Sequence, residues 1–221
     1  MSNAQVMDNN QQGAPLVKIY VAISAAVLLL MMTVGFIMRL AQGQVLELPA
    51  DLFYQLMTVH GTGMVGIAAL GSVSIMWYFA SRHLELSRII FVANLVLFLI
   101  GVVLILGSIL GGGFAAGWTF LYPLPAEAKG LWGTTAAASF LVGLLLIGTG
   151  FLALHLDFAR AILKKYGSLG KGLGWPQLFG RDAGDPPPPV VVASTMVTVV
   201  NTLAVSYTHL RAHETVLDLV C

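Results

Sequence analysis

Leu52-Phe53-Tyr54-Gln55-Leu56-Met57-Thr58-Val59-His60-Gly61-Thr62-Gly63-Met64-Val65-Gly66 is an uncharged, largely apolar run that continues to Phe79. It exceeds the ~20 residues that cross hydrocarbon as a helix. An ionisable side chain at that depth is costly unless it faces the interior of a bundle, and a neutral imidazole is a common metal ligand. His60 is therefore the first candidate for a functional site. The small residues Gly61, Gly63 and Gly66 let another helix or a flat macrocycle approach the backbone, which leaves room beside the imidazole. They also spell GxGxxG, but no strand precedes them, so the strand-turn-helix of a dinucleotide site is missing.

Outward from this run the composition is that of an integral membrane protein, with 57% hydrophobic and 10% charged residues and a mean hydropathy of +0.86. The fold class that follows is all-α, a polytopic transmembrane helix bundle with four complete spans and the start of a fifth. The spans are expected at roughly Ile19 to Met38, Leu52 to Phe79, Ile89 to Leu110 and Leu131 to Leu154. The fifth apolar segment opens near Val190. Asp157 to Pro189 reads as a polar linker, since Gly170, Gly172, Gly174 and the run Pro186 to Pro189 interrupt a helix. Residues 1–16 read as a polar tail without the basic start and cleavage site of a secretory signal, and residues 17–204 as one transmembrane domain.

Loop charges orient the bundle. Lys18, Arg82, Arg88, Arg160, Lys164, Lys165, Lys171 and Arg181 fall on one side, against Arg39 and Lys129 on the other, which predicts a cytoplasmic N-terminus. His60 then lies ~12 Å inside the outer face, at 1.5 Å rise per residue from Leu52. A net charge of +1 gives no basis for nucleic acid as a partner, and the lone Cys221 cannot build a disulfide framework. His83, in a basic loop, and His155, at the inner end of the fourth helix, read as solvated or capping residues. His209 and His213 have the i, i+4 spacing of metal ligands, but nothing around them supports such a site.

Gly111-Gly112-Gly113-Phe114-Ala115-Ala116-Gly117-Trp118-Thr119-Phe120-Leu121-Tyr122-Pro123-Leu124-Pro125 closes the third helix and forms an outer loop. An Arg after the first helix, a His early in the second and this Gly-Trp-Thr loop together resemble the N-terminal part of subunit I of the haem-copper oxygen reductases, the terminal oxidases of respiration. The resemblance covers about Lys18 to Ala204. It implies that His60 is an axial ligand of the low-spin haem, with its second ring nitrogen donating to an acceptor that the sequence does not name. It further implies that Arg39 contacts the edge of that haem and that the Trp118 indole N–H donates near the haem propionates. A snorkelling arginine and an interfacial belt tryptophan are the competing readings of those two residues. The implied partners are oxidase subunit II, cytochrome c or another small electron donor, and membrane lipid. The implied location is a bacterial or archaeal plasma membrane.

Departures from the family pattern qualify the expectation. The loop Ser81 to Arg88 is short and lacks the Asn and Asp cluster of the proton entry path in the mitochondrial-like branch. Leu121 precedes Tyr122-Pro123 where the family has Tyr-Pro-Pro after Trp-Thr-x, so Tyr122 receives no role. These features lean toward a divergent branch closer to the B-type oxidases, or toward nitric oxide reductases. The later His-Pro-x-x-Tyr, His-His and His-x-His motifs, which supply the high-spin haem and copper ligands, are not in the sequence. The chain is thus expected to be an N-terminal fragment, inactive alone, of an enzyme that reduces oxygen to water coupled to proton translocation. Residues 205–221 are similar to translated sequencing-adapter read-through and are expected to be non-native. The readings from other classes are a transporter, with His60 as a proton relay, and a non-catalytic membrane anchor.

Overall fold

The computed structural model describes residues 3–117, 130–181 and 184–220, with side chains described from residue 13 to 204 within those ranges and at 206 and 207. Every regular element among them is helical. Helix α1 runs Asn3–Gln42, α2 Ala50–Ala80, and α3 Arg88–Leu106, which passes into a π-helical turn, Gly107–Gly111. Helix α4 follows at Thr134–Tyr166, the short α5 and α6 at Leu169–Gly172 and Trp175–Leu178, and α7 at Pro189–Val220. Helices α1 to α4 are long and apolar enough to cross a membrane. The all-helical bundle with four spans is the expected one.

Boundaries differ where capping outweighs hydropathy. The expected tail is helical from Asn3 and continuous with the first span, because extending a formed helix adds one hydrogen bond per residue fixed. The fourth helix does not end at Leu154, so Asp157 to Tyr166 is helix and not linker. Its stop is Gly167 at φ 80°, preceded by Lys164 and Lys165 in the last turn, where a left-handed glycine and cations suit the exposed carbonyls. The fifth segment is apolar over Pro189–Ala204, and its backbone stays helical to Val220.

Close backbone approach fixes the packing of α3 on α4. A Cβ built on Gly101 would lie 2.6 Å from the Gly143 carbonyl oxygen, and one on Gly143 2.7 Å from that of Gly101. Small residues at such a crossing are a common device of membrane bundles. Between α1, α2 and α3 the rings of Tyr20, Phe91 and Trp77 stack with centroids 4.3 and 4.4 Å apart. The Tyr20 hydroxyl donates to the Phe91 carbonyl at 2.6 Å.

The connection between α2 and α3 is held by the end of α4. Asp157, its side chain fully buried, pairs with Arg160 at 2.6 Å and accepts from the Ser87 backbone N–H at 2.7 Å. Ser87 in turn caps α3 through Ile90 N–H. Arg160 reaches the Glu85 carbonyl, Lys164 the Glu85 carboxylate and Lys165 the His83 carbonyl. The basic end of the bundle is therefore a fastened structure around a short loop.

Candidate functional site

His60 sits on α2, half-buried, with its ring against α1. Its Nδ1 lies 2.8 Å from the Met31 carbonyl oxygen. A carbonyl can only accept, so Nδ1 carries the hydrogen and Nε2 of the neutral ring keeps its lone pair. Met31 is the acceptor that the sequence could not name, because it lies on another helix. In an α-helix the same carbonyl receives the Gly35 N–H, and its second lone pair serves the imidazole.

Gly35 makes that approach possible. A Cβ there would stand 2.8 Å from His60 Cε1 and 3.3 Å from Nδ1, inside contact distance. Gly63 and Gly66 let neighbouring helices approach, as expected, but they are not what leaves room beside the imidazole. A side chain at Gly63 would run into the buried Met31, and one at Gly66 would meet Phe98 of α3 at 3.5 Å. Those positions seat α2 on its neighbours, whereas the space for the imidazole comes from α1. No periodicity within α2 could have revealed this, since the cradle belongs to a different helix.

Arg39 lies one turn beyond Gly35 at i+4, on the same face of α1. Its guanidinium is exposed and donates to Gln42 at 3.0 Å. The structure thus places Arg39 on the face that holds the His60 ring, near the end of the bundle where α2 begins. Trp118 lies outside the described residues. Its neighbour Gly117, at φ 80°, donates its backbone N–H to Thr58 Oγ1 at 3.0 Å. Thr58 is fully buried, two residues before His60, and its hydroxyl donates to the Tyr54 carbonyl. Gly117 therefore sits against the helix that carries His60, in a left-handed conformation that favours glycine. Thr58 escaped the sequence reading, for a threonine in an apolar helix carries no signal of its own.

The π-helical turn delivers the chain to this loop. The Ser108 hydroxyl donates to the Ala136 carbonyl of α4 at 2.6 Å, and Phe114 is buried with its ring stacked on Phe140 at 4.3 Å. A wider turn at the end of α3 rotates the chain into position over α2, as such turns often do beside functional sites.

Elsewhere the histidines divide. His83 is exposed in its loop, as expected. His155 is neither at the exposed end of its helix nor a cap: it is 2% exposed and bonded on both ring nitrogens. The correction follows from α4 continuing past Asp157, which puts residue 155 inside the bundle. His209 and His213 fall where side chains lie outside the described residues. Among the described residues no group of three or more His, Cys, Asp or Glu could hold a metal ion.

The model of the family described as cytochrome C and quinol oxidase polypeptide I matches residues 15–217, which include His60, Arg39 and Trp118. No curated protein and no solved structure matches the chain.

Proposed function

The chain belongs to the cytochrome c and quinol oxidase polypeptide I family, and from that premise we propose that His60 is the axial ligand, on this chain, of a low-spin haem. The observation that supports the reading is the 2.8 Å contact from Nδ1 to the Met31 carbonyl, which leaves the lone pair of the neutral ring on Nε2. Metal-bound histidines usually donate their other N–H in this way, and such a bond raises the basicity of the ligand. The cradle at Gly35 supports the same reading, since it holds the ring edge-on to α1 where a Cβ would displace it. The haem supplies one-electron redox chemistry when bound.

What the chain's own residues do is hold and surround that group. His60 offers the lone pair, Met31 fixes the tautomer, and Thr58 anchors the loop that bears Trp118. Arg39 brings a permanent positive charge to the same face, suited to a carboxylate or carbonyl at the edge of the macrocycle. In the complete enzyme, electrons arrive from cytochrome c or a copper-bearing partner subunit and oxygen is reduced to water with proton translocation. The basic end faces the cytoplasm.

The test is His60→Ala in the complete protein. The low-spin haem absorbance is expected to vanish while the helical fold persists, because a truncation of this kind costs only about 2–5 kcal/mol. A low-spin spectrum unchanged by the substitution overturns the assignment. Consumption of oxygen against nitric oxide by the unmutated complete protein decides the substrate.

A further inference from the structure

Helices α2, α4 and α7 line a cavity of about 680 Å³ that is open on one side, with Ala69, Ser72, Phe151, His155, Ser194 and Asn201 among its lining. It is well separated from His60, since Ala68, where it begins on α2, is eight residues further along, or ~12 Å. We propose that this cavity is a water-filled proton-accepting site, with His155 as the proton-binding group and Asn201 as the residue that pairs with both of its protonation states. This inference does not rest on haem binding at His60.

The geometry leaves one place for the proton. His155 Nδ1 is 2.7 Å from the Phe151 carbonyl and must donate to it. Nε2 therefore carries the lone pair of the neutral ring, and Asn201 Nδ2 donates to it at 3.1 Å. When a proton adds to Nε2, the Asn201 amide turns over and presents Oδ1 as acceptor. A primary amide offers a donor and an acceptor in nearly the same shape, so Asn201 satisfies either form of the ring without moving the helix. The proton comes from hydronium in the cavity and returns to water there, and no other bond changes.

Two further observations point to water. Ser194 is 1% exposed and lines the cavity, and its hydroxyl has no hydrogen-bond partner among the described residues. Asn201 and Ser72 also line the cavity, and its volume far exceeds the ~30 Å³ that one water needs. No titratable side chain of α2 or α7 lines the cavity among the described residues, and on α4 Asp157 is engaged by Ser87 and Arg160. With no counter-charge facing it, an imidazolium here depends on water to spread its charge.

Nuclear magnetic resonance of the full chain in phospholipid nanodiscs tests the proposal, using ¹⁵N-histidine with ¹³C-carbonyl leucine. Leu154-His155 is the one Leu-His step in the sequence, so its signals are assigned without mutation. The expected result is reversible protonation of the His155 ring at Nε2 as the pH is lowered, with strong magnetisation transfer from water. Asn201→Leu is expected to move that titration to lower pH by about one unit, and Ala69→Phe to cut the water transfer severalfold. A ring that stays neutral and dry wherever the chain remains folded overturns the proposal. So does transfer from lipid acyl chains in place of water. The unmutated chain alone is enough to support the proposal or to overturn it.

Discussion

At the scale of single residues, the site turns on a glycine and a carbonyl of α1. Gly35→Ala adds one methyl within 2.8 Å of the His60 ring, so the imidazole must swing away from Met31 and lose the bond that fixes its tautomer. Partners of this kind are worth ~10–100-fold in metal affinity. The expected outcome in the complete protein is a loss of that order in low-spin haem occupancy at limiting haem, read from the absorbance, with helicity unchanged. Unaltered occupancy would assign the ring's position to α2 alone. His60 itself was legible in the sequence, because a histidine in an uncharged span is chemically conspicuous. Met31 and Gly35 were not, since an apolar residue and a glycine in an apolar helix gain meaning only from the helix opposite. The burial of His155 was hidden for a related reason: its partner Asn201 lies 46 positions away on α7.

At the scale of elements, hydropathy located the spans while caps and crossings set their limits. Charge at Asp157 and Arg160 suggests an exit from the membrane, yet the carboxylate is buried against Ser87 and the helix runs on to Gly167. A sequence shows a charge but not the backbone N–H that receives it. The crossing of α3 and α4 yields a direct prediction. Gly143→Leu places a side chain where the Gly101 carbonyl and Ile105 already stand, which forces the helices apart. Overpacking of this kind costs about 1–3 kcal/mol. The variant should unfold at lower temperature in detergent. The same exchange at Gly107, where a Cβ meets nothing within 4 Å, should disturb the bundle less. Equal losses at the two positions would show that close approach is not what holds α3 on α4.

At the scale of the whole molecule, the two ends of the bundle are built for different purposes. One carries the half-buried His60 and the contact of Gly117 with Thr58, and the other is an ionic clasp in which α4 secures the turn between α2 and α3. That clasp makes local stability depend on pH. Lys164 donates to the Glu85 carboxylate and holds its acidity below the usual carboxylate value. The contribution is complete above about pH 4.3 and is lost as the pH falls through the lowered value. Burial, then Lys165 and Arg82, hold His83 below the ordinary imidazole value. Its neutral form is thus favoured in the fold, and the penalty for charging it grows as the pH falls through about 6.5. Both shifts have one sign, so acidification loosens this end. Amide hydrogen exchange in residues 81–87, corrected for intrinsic rates, should quicken from neutral pH to about pH 3 while the amides of α2 around His60 stay protected. Lys164→Met should raise exchange at neutral pH and flatten the part of the profile that belongs to Glu85. Salt should act in the same direction on that exposed pair and less on Asp157 with Arg160, whose carboxylate is out of reach of solvent. Exchange that is indifferent to pH would mean that apolar packing alone, and not the clasp, holds the turn.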